Sequence, residues 1–281
     1  MNFGLAKSLL DRPGGRALLG HLVTARARIA GSPVQIFYDD GCWIHRFGAD
    51  AFADWEPASK PNLPMWLEGA RKRWLSFYQP KAGETVIDVG AGIGIESILY
   101  SRAVGTSGRV IAIEAHPRTY QCLVKTCEYS SLRNVTPLNI ALVDREQVVS
   151  IEDDRQHIGN AIVPGSGGER MRVRGRSLDE VCAELGVGDI AVMRANIEGA
   201  EKFAIQGMNN VIGRIAHAEI ECHDFKADRT GNDFFRTKKT VTEFLLDHGF
   251  EIVPMPFEKP WVRDTVCAYN RALTGNPLHA Q

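Results

Sequence analysis

Glu84-Thr-Val-Ile-Asp88-Val-Gly90-Ala-Gly92-Ile-Gly94-Ile-Glu-Ser97 reads as an apolar strand running into a glycine turn. Gly108-Arg-Val-Ile-Ala-Ile-Glu114-Ala-His-Pro-Arg118, which follows after a helix-length stretch, reads as a second strand ending in an acid. Glycines at alternate positions suit a backbone that must bend sharply and approach a ligand closely. A strand, a tight turn, a helix and a second strand make one βαβ unit with a nucleotide-sized site at the carboxyl end of its strands.

The acids narrow the ligand. A pyrophosphate binder carries G-x-G-x-x-G at a helix N-terminus, whereas this turn places Asp88 inside the strand end, where a phosphate would be repelled. A ligand with an amino group suits Asp88, and Glu114 stands where an acid grips ribose hydroxyls. S-adenosylmethionine has an amino acid end and a ribose and lacks phosphate. The reading places it on Asp88, Gly90, Ala91, Gly92, Gly94, Glu114 and Ala115.

Working outward, strands and helices alternate: strand 85–89, helix 95–104, strand 110–114, helix 119–130 and strand 135–141. The alternation resumes with helix 178–185, strand 190–195, the turn Asn196-Ile-Glu198-Gly-Ala-Glu201, strand 215–222, helix 241–247 and strands 250–253 and 265–269. Seven strands in this rhythm predict an α/β fold with a doubly wound, mostly parallel sheet. Residues 147–175 interrupt it as an insertion with short strands near 148–151 and 171–173. That insertion contains Asp153-Asp154, His157-Ile-Gly-Asn160 and Gly165-Ser-Gly-Gly168, a loop that could close over an acceptor or be plain surface. The core domain is read as 62–281, beginning with an amphipathic helix at 65–78.

Residues 1–61 read as an N-terminal extension. Val34 to Arg46 holds two apolar and aromatic runs around Asp40-Gly41, a strong hairpin signal. Residues 16–30 predict a short basic helix with Leu18, Leu19, Leu22, Val23 and Ile29 as its apolar side. This helix either packs on its own domain or across a dimer, or lies on a membrane surface as a peripheral contact.

The chain of 281 residues carries a formal net charge of −1, with 44% hydrophobic and 24% charged residues, an ordinary globular composition. That balance provides no global field for nucleic acid. The six cysteines follow no paired zinc spacing and suit reduced buried thiols. Neither a membrane span nor a secretory pattern is visible, so the expected location is the cytoplasm.

The blocks Val86 to Gly94, Val104 to Glu114, Asn134 to Asp144 and Ile197-Glu-Gly-Ala-Glu201 followed by Gly207 resemble the FkbM family of S-adenosylmethionine-dependent methyltransferases. The resemblance implies a class I, Rossmann-like methyltransferase fold and O-methylation of a hydroxyl on a sugar, glycolipid or natural product. It also implies that Ile140, Ala141 and Leu142 cover the adenine. This chain departs from the family at Arg194-Ala195-Asn196, where an aspartate preceded two residues earlier by a lysine is usual. Asn196 keeps hydrogen-bonding capacity but cannot act as a base.

Methyl transfer to an alcohol needs alignment and removal of the hydroxyl proton. His223, which ordinarily titrates near neutral pH, is the first candidate base and Glu198 the second. Period-two spacing puts Glu219, Glu221 and His223 on one face as a prospective wall. Asn196 would position cofactor or substrate. His45, His217 and His248 read as surface or satisfied core histidines. No metal ligand set stands out, and a metal-independent reaction on a small-molecule or glycan acceptor is expected. Methylation of nitrogen or of a macromolecule, and a non-catalytic cofactor-binding partner protein, are the competing functions. The first lacks an N/D-P-P-Y motif, and the second rests on Asn196.

Overall fold

A computed structural model describes residues 12–57, 61–152, 170–256 and 259–274. Helix α1 (Pro13–Ile29) precedes strands β1 (Gln35–Asp39), β2 (Cys42–Phe47) and β3 (Asp50–Asp54), and α2 (Leu63–Trp74) follows. The central run is β4 (Thr85–Val89), α3 (Ile95–Val104), β5 (Arg109–Ile113), α4 (Pro117–Tyr129) and β6 (Val135–Leu138). Next come β7 (Ala141–Leu142), β8 (Gln147–Glu152), β9 (Arg170–Arg176), α5 (Leu178–Glu184), β10 (Ile190–Ala195), the short α6 (Glu201–Ala204) and β11 (Ile215–Glu221). The chain continues through α7 (Asp224–Thr230), α8 (Lys238–Asp247), β12 (Phe250–Val253), α9 (Pro260–Arg263), β13 (Thr265–Asn270) and α10 (Arg271–Thr274).

Seven strands form one sheet in the order β12-β13-β11-β10-β4-β5-β6. Only β13 runs antiparallel to its neighbours, β11 and β12. Both faces are covered, as the near-continuous apolar strands require. Ile87, Ile111 and Met193 face one core with α5 and α8, while Val86, Val110 and Val192 face another with α2, α3 and α4. Strand order reverses between β4 and β10, and such a switch point opens a crevice at the carboxyl ends of the strands.

The doubly wound sheet is as the sequence predicts, with one strand altered. The expected strand 135–141 divides into β6, which stays in the main sheet, and β7, which pairs with β9 in a separate sheet of order β7-β9-β8. Asn139 turns the chain there, its Nδ2 donating to the carbonyls of Glu114 and Ala115, each at 2.9 Å. Strands at the borders of the insertion are present as β8 and β9. Asp153-Asp154, His157 to Asn160 and Gly165 to Gly168 lie outside the described residues.

Asp40 and Gly41, with φ of 40° and 91°, join β1 to β2 as a two-residue hairpin, and β3 adds a third strand that the sequence reading omits. The small sheet docks on α4 through backbone donors of β3: Ala51 N–H to Ser130 Oγ and Ala53 N–H to Thr126 Oγ1, each at 2.9 Å. Helix α1 corrects the expected apolar side. Leu19, Val23 and Ala27 pack against β1, but Leu18, Leu22 and Ile29 are exposed. All six cysteines are buried, with no disulfide among them.

Candidate active site

The turn after β4 is folded down onto the end of β5. The N–H groups of Gly90 and Ala91 both donate to the Ile113 carbonyl, at 2.8 and 3.0 Å. The next free donor, Gly92 N–H, reaches Glu114 Oε2 at 2.9 Å, and His116 N–H reaches Glu114 Oε1 at 2.8 Å. A Cβ on Gly90 would stand 2.0 Å from the carbonyl oxygen of Asn196, so the two turns touch backbone to backbone. Gly92 differs: no protein atom lies within 4 Å of an added Cβ. Above it opens a cavity of about 750 Å³, within the roughly 300–1,000 Å³ range of small-molecule sites.

Of the residues singled out in the sequence, Gly90, Ala91, Gly92, Glu114, Ala115, Ile140, Ala141, Leu142, Asn196 and Glu198 line this cavity. Gly94 instead caps α3 in a left-handed conformation, packed so tightly on α4 that a Cβ would fall 2.9 Å from Leu123 Cδ1.

Asp88 requires a correction. Its carboxylate is fully buried beneath the turn, accepting from Ser97 Oγ at 2.7 Å and pairing with Arg194 Nη1 at 3.0 Å. The acid that the sequence offers to a cationic ligand is thus met by the chain's own guanidinium. Burial pushes the Asp88 carboxyl above its ordinary value even though Arg194 opposes the shift. Arg194 Nη1 also donates to the Gly90 carbonyl at 2.9 Å, which ties the strand pair to the turn. Strand register sets Asp88, Arg194 and Glu219 side by side across β4, β10 and β11. The indole of Trp74 covers this row, with the guanidinium carbons of Arg73 and Arg194 each 4.3 Å from its ring centre.

Glu219, Glu221 and His223 are buried and do not line the cavity, contrary to the expected wall. Burial raises the Glu219 carboxyl to about 8. Glu221 is raised by burial too, and pairs with Arg73 of α2. His223 sits between two carboxylates, its Nδ1 donating to Glu201 Oε1 at 2.9 Å and its Nε2 lying 3.3 Å from Glu198 Oε2. Burial alone would lower its pKa, but the hydrogen bonds to Glu198 and Glu201 outweigh burial and raise it to about 10. At neutral pH the ring is an imidazolium, so the expectation of a near-neutral base does not hold for His223.

Glu198 is the counterpart. Burial would raise its carboxyl, yet hydrogen bonds from His223 and Lys226 hold it near 2. Its backbone adopts φ of 56°, a conformation that non-glycine residues occupy at functional sites more often than elsewhere. Both partners fall on Oε2, which leaves Oε1 for another contact. Beside it, Asn196 Oδ1 is a buried acceptor with no hydrogen-bond partner among the described residues. Buried polar groups are ordinarily satisfied.

The sequence reading missed the opposite wall. Asp54 at the end of β3, Met65, Trp66, Gly69, Arg73 and Trp74 of α2, and His116 all line the cavity. The signal was available in the amphipathic pattern of 65–78, which carries Trp66 and Trp74. No helix among the described residues is long and apolar enough to cross a membrane, and no group of three or more His, Cys, Asp or Glu residues there could hold a metal.

The sheet order with its one antiparallel strand, and a glycine turn and acid at the ends of adjacent parallel strands, define a fold of the class I, Rossmann-like methyltransferase type. The chain belongs to the FkbM family: the family model for the methyltransferase FkbM domain matches residues 88–252. It is 37% identical over 67 residues to a protein-L-isoaspartate O-methyltransferase of Aeropyrum pernix, covering 24% of this chain and 26% of that protein. It is 27% identical over 111 residues to a probable cobalt-precorrin-6B C(15)-methyltransferase (decarboxylating) of Saccharolobus solfataricus, covering 40% and 53%. The chain thus spans between about a quarter and about a half of the length of these curated relatives. Among solved structures, Aeropyrum pernix fibrillarin with bound S-adenosyl-L-methionine superposes with a TM-score of 0.44 at 14% identity, over 84% of this chain and 98% of that one. M. jannaschii TYW2 in complex with AdoMet gives 0.40 at 13% identity, over 85% and 91%.

Proposed function

We propose that this chain methylates a hydroxyl of an uncharged small molecule, of the sugar, glycolipid or natural-product class, with S-adenosylmethionine as donor. The observation that carries the acceptor class is the charge state of the cavity wall. Among the described residues its two guanidiniums, Arg73 and Arg194, are each paired to a buried acid, and Glu96, Glu198, Asn196, Trp66 and Trp74 line the same cavity. Such a wall offers hydrogen-bond acceptors and aromatic faces rather than uncommitted cations, which suits polyols and disfavours phosphates.

The residues fit the cofactor. The open position at Gly92 leaves room for a ligand beside the backbone, Glu114 can accept from ribose hydroxyls, and Ile140 to Leu142 offer an apolar face for adenine. Asn196 Oδ1, unpartnered, can accept from the amino end or from the acceptor's hydroxyl. When bound, S-adenosylmethionine supplies an electrophilic methyl group on a sulfonium.

Glu198 would receive the proton at Oε1. An oxygen that is being alkylated sheds its proton far more readily than a free alcohol, so a carboxylate held near 2 suffices. His223 and Lys226 would fix that carboxylate in its charged form, making them positioning residues, and Glu221 would steady Arg73. Screening hydroxylated sugars and natural products for S-adenosylhomocysteine release tests the reading. With an acceptor in hand, Glu198→Gln is expected to lower kcat by about 100-fold while leaving cofactor affinity near wild type. Equal kcat in the variant would remove Glu198 from the role.

Glu114 gives a pH signature. Burial raises its carboxyl from an ordinary 4.5 to about 7. Each oxygen already accepts one backbone N–H, and only in the ionised form do both keep a further lone pair to accept from hydroxyls. Affinity for S-adenosylmethionine is therefore expected to strengthen as pH rises through about 7 and then to level off. The ligand-free protein moves the other way: a folded-state pKa above the unfolded one gives stability that is complete below about 4.5 and declines as pH rises through about 7. Calorimetric titrations across that range check the first statement, and a flat profile would exclude Glu114 as the titrating contact.

A further inference from the structure

Helix α1 presents two unlike faces. On one, Leu19, Val23 and Ala27 pack on β1, and Thr24 Oγ1 exchanges hydrogen bonds with the Ile36 backbone at 3.1 and 2.8 Å. Gly20 sits so close that a Cβ would fall 2.9 Å from the Ile36 carbonyl, so this face is used up by the fold. At about 100° per residue, Leu18, Leu22, Ala25 and Ile29 align on the opposite side. Leu18, Leu22 and Ile29 are 57%, 59% and 89% exposed.

The charges are arranged around that stripe. Arg26 lies on one flank, and His21 and Arg28 lie on the other, all exposed. From Arg12 to Tyr38 the sequence holds four arginines and no acid, in a chain whose net charge is −1. An apolar ridge between basic flanks, on a helix of low overall hydrophobicity, matches a helix lying in the plane of an anionic lipid interface. A second copy of this chain fits worse, because helix against helix would bring arginines together with no acid in the stretch to meet them.

We propose that α1 docks this methyltransferase peripherally on anionic lipid surfaces, with Leu18, Leu22 and Ile29 inserted and Arg26 and Arg28 at the headgroups. The small sheet that α1 packs on also reaches the cavity, through Asp54 at the end of β3 and the contact of Phe52 with Trp66, whose ring centres lie 4.9 Å apart. The lipid-binding surface and the site are thus joined through one packed unit.

The test is co-sedimentation of the full chain with vesicles of phosphatidylcholine alone and with vesicles of equal parts phosphatidylcholine and phosphatidylglycerol. Binding is expected to the mixed vesicles only, and to weaken as salt is raised. Arg26→Ser/Arg28→Ser is expected to weaken it by about 25-fold, about fivefold for each basic residue removed. Leu18→Ser/Leu22→Ser is expected to weaken it by at least about tenfold. Both variants should melt and bind cofactor as wild type does, since neither touches the packed face or the cavity. Failure to sediment with mixed vesicles, or equal binding to both kinds, would overturn the proposal. A dimer in sedimentation velocity that dissociates in Leu18→Ser/Leu22→Ser would assign the stripe to a second copy and overturn it as well.

Discussion

Replacement of Arg194 by methionine is expected to destabilise the fold by about 3–5 kcal/mol, lowering the melting temperature on the order of 10 °C. Asp88 is fully buried and Arg194 nearly so, and among the described residues only Ser97 Oγ and the guanidinium meet that carboxylate. Removing the cation leaves a buried acid that must take up a proton or remain uncompensated. The same change frees the Gly90 carbonyl and uncovers one face of Trp74. A second substitution separates pairing from packing: Asp88→Leu added to Arg194→Met should restore most of the loss, because a buried ion pair replaced by apolar groups of similar size is often neutral. Calorimetric melting of both variants checks it. If Arg194→Met alone melts as wild type does, the row across β4, β10 and β11 is not a structural unit.

Substitution of Gly92 by alanine is expected to act on binding more than on folding. At φ of 56° an alanine costs about 1–2 kcal/mol, and no protein atom stands within 4 Å of the new methyl group. That methyl would occupy space the cofactor needs, and overpacking of about 2–3 kcal/mol corresponds to a loss of affinity on the order of 100-fold. Gly90→Ala is the contrasting case. Its methyl would meet the Asn196 carbonyl at 2.0 Å, so the two turns must separate and stability falls together with binding. Cofactor titration and thermal melting of the two variants distinguish them: equal losses of affinity and stability at Gly92 would mean that the open position is not a ligand site.

The alternation of elements and the glycine turn were readable because they depend on neighbours in sequence: Val86 and Ile87 form a strand, and Gly90 to Gly94 a bend, wherever they are placed. Glu114 was readable for the same reason, standing at the end of the next strand of one βαβ unit. Asp88 was misread because its partner is 106 residues away and arrives only when β10 takes its place beside β4. His223 was misread because its charge is set by Glu198 and Glu201, brought to it by a turn whose left-handed backbone no periodicity reveals. Strand β3 was overlooked as too short and too rich in alanine for its pattern to declare itself, although its docking on α4 rests on Ser130 and Thr126. The split of the third strand turned on one side chain, that of Asn139.

Isothermal titration of the wild-type chain with S-adenosylmethionine tests the central claim most directly, because the cavity over Gly92 and Glu114 is held to be the cofactor site. Saturable binding at one molecule per chain is the result expected, strengthening as pH rises through about 7. Absence of binding at millimolar ligand would contradict it.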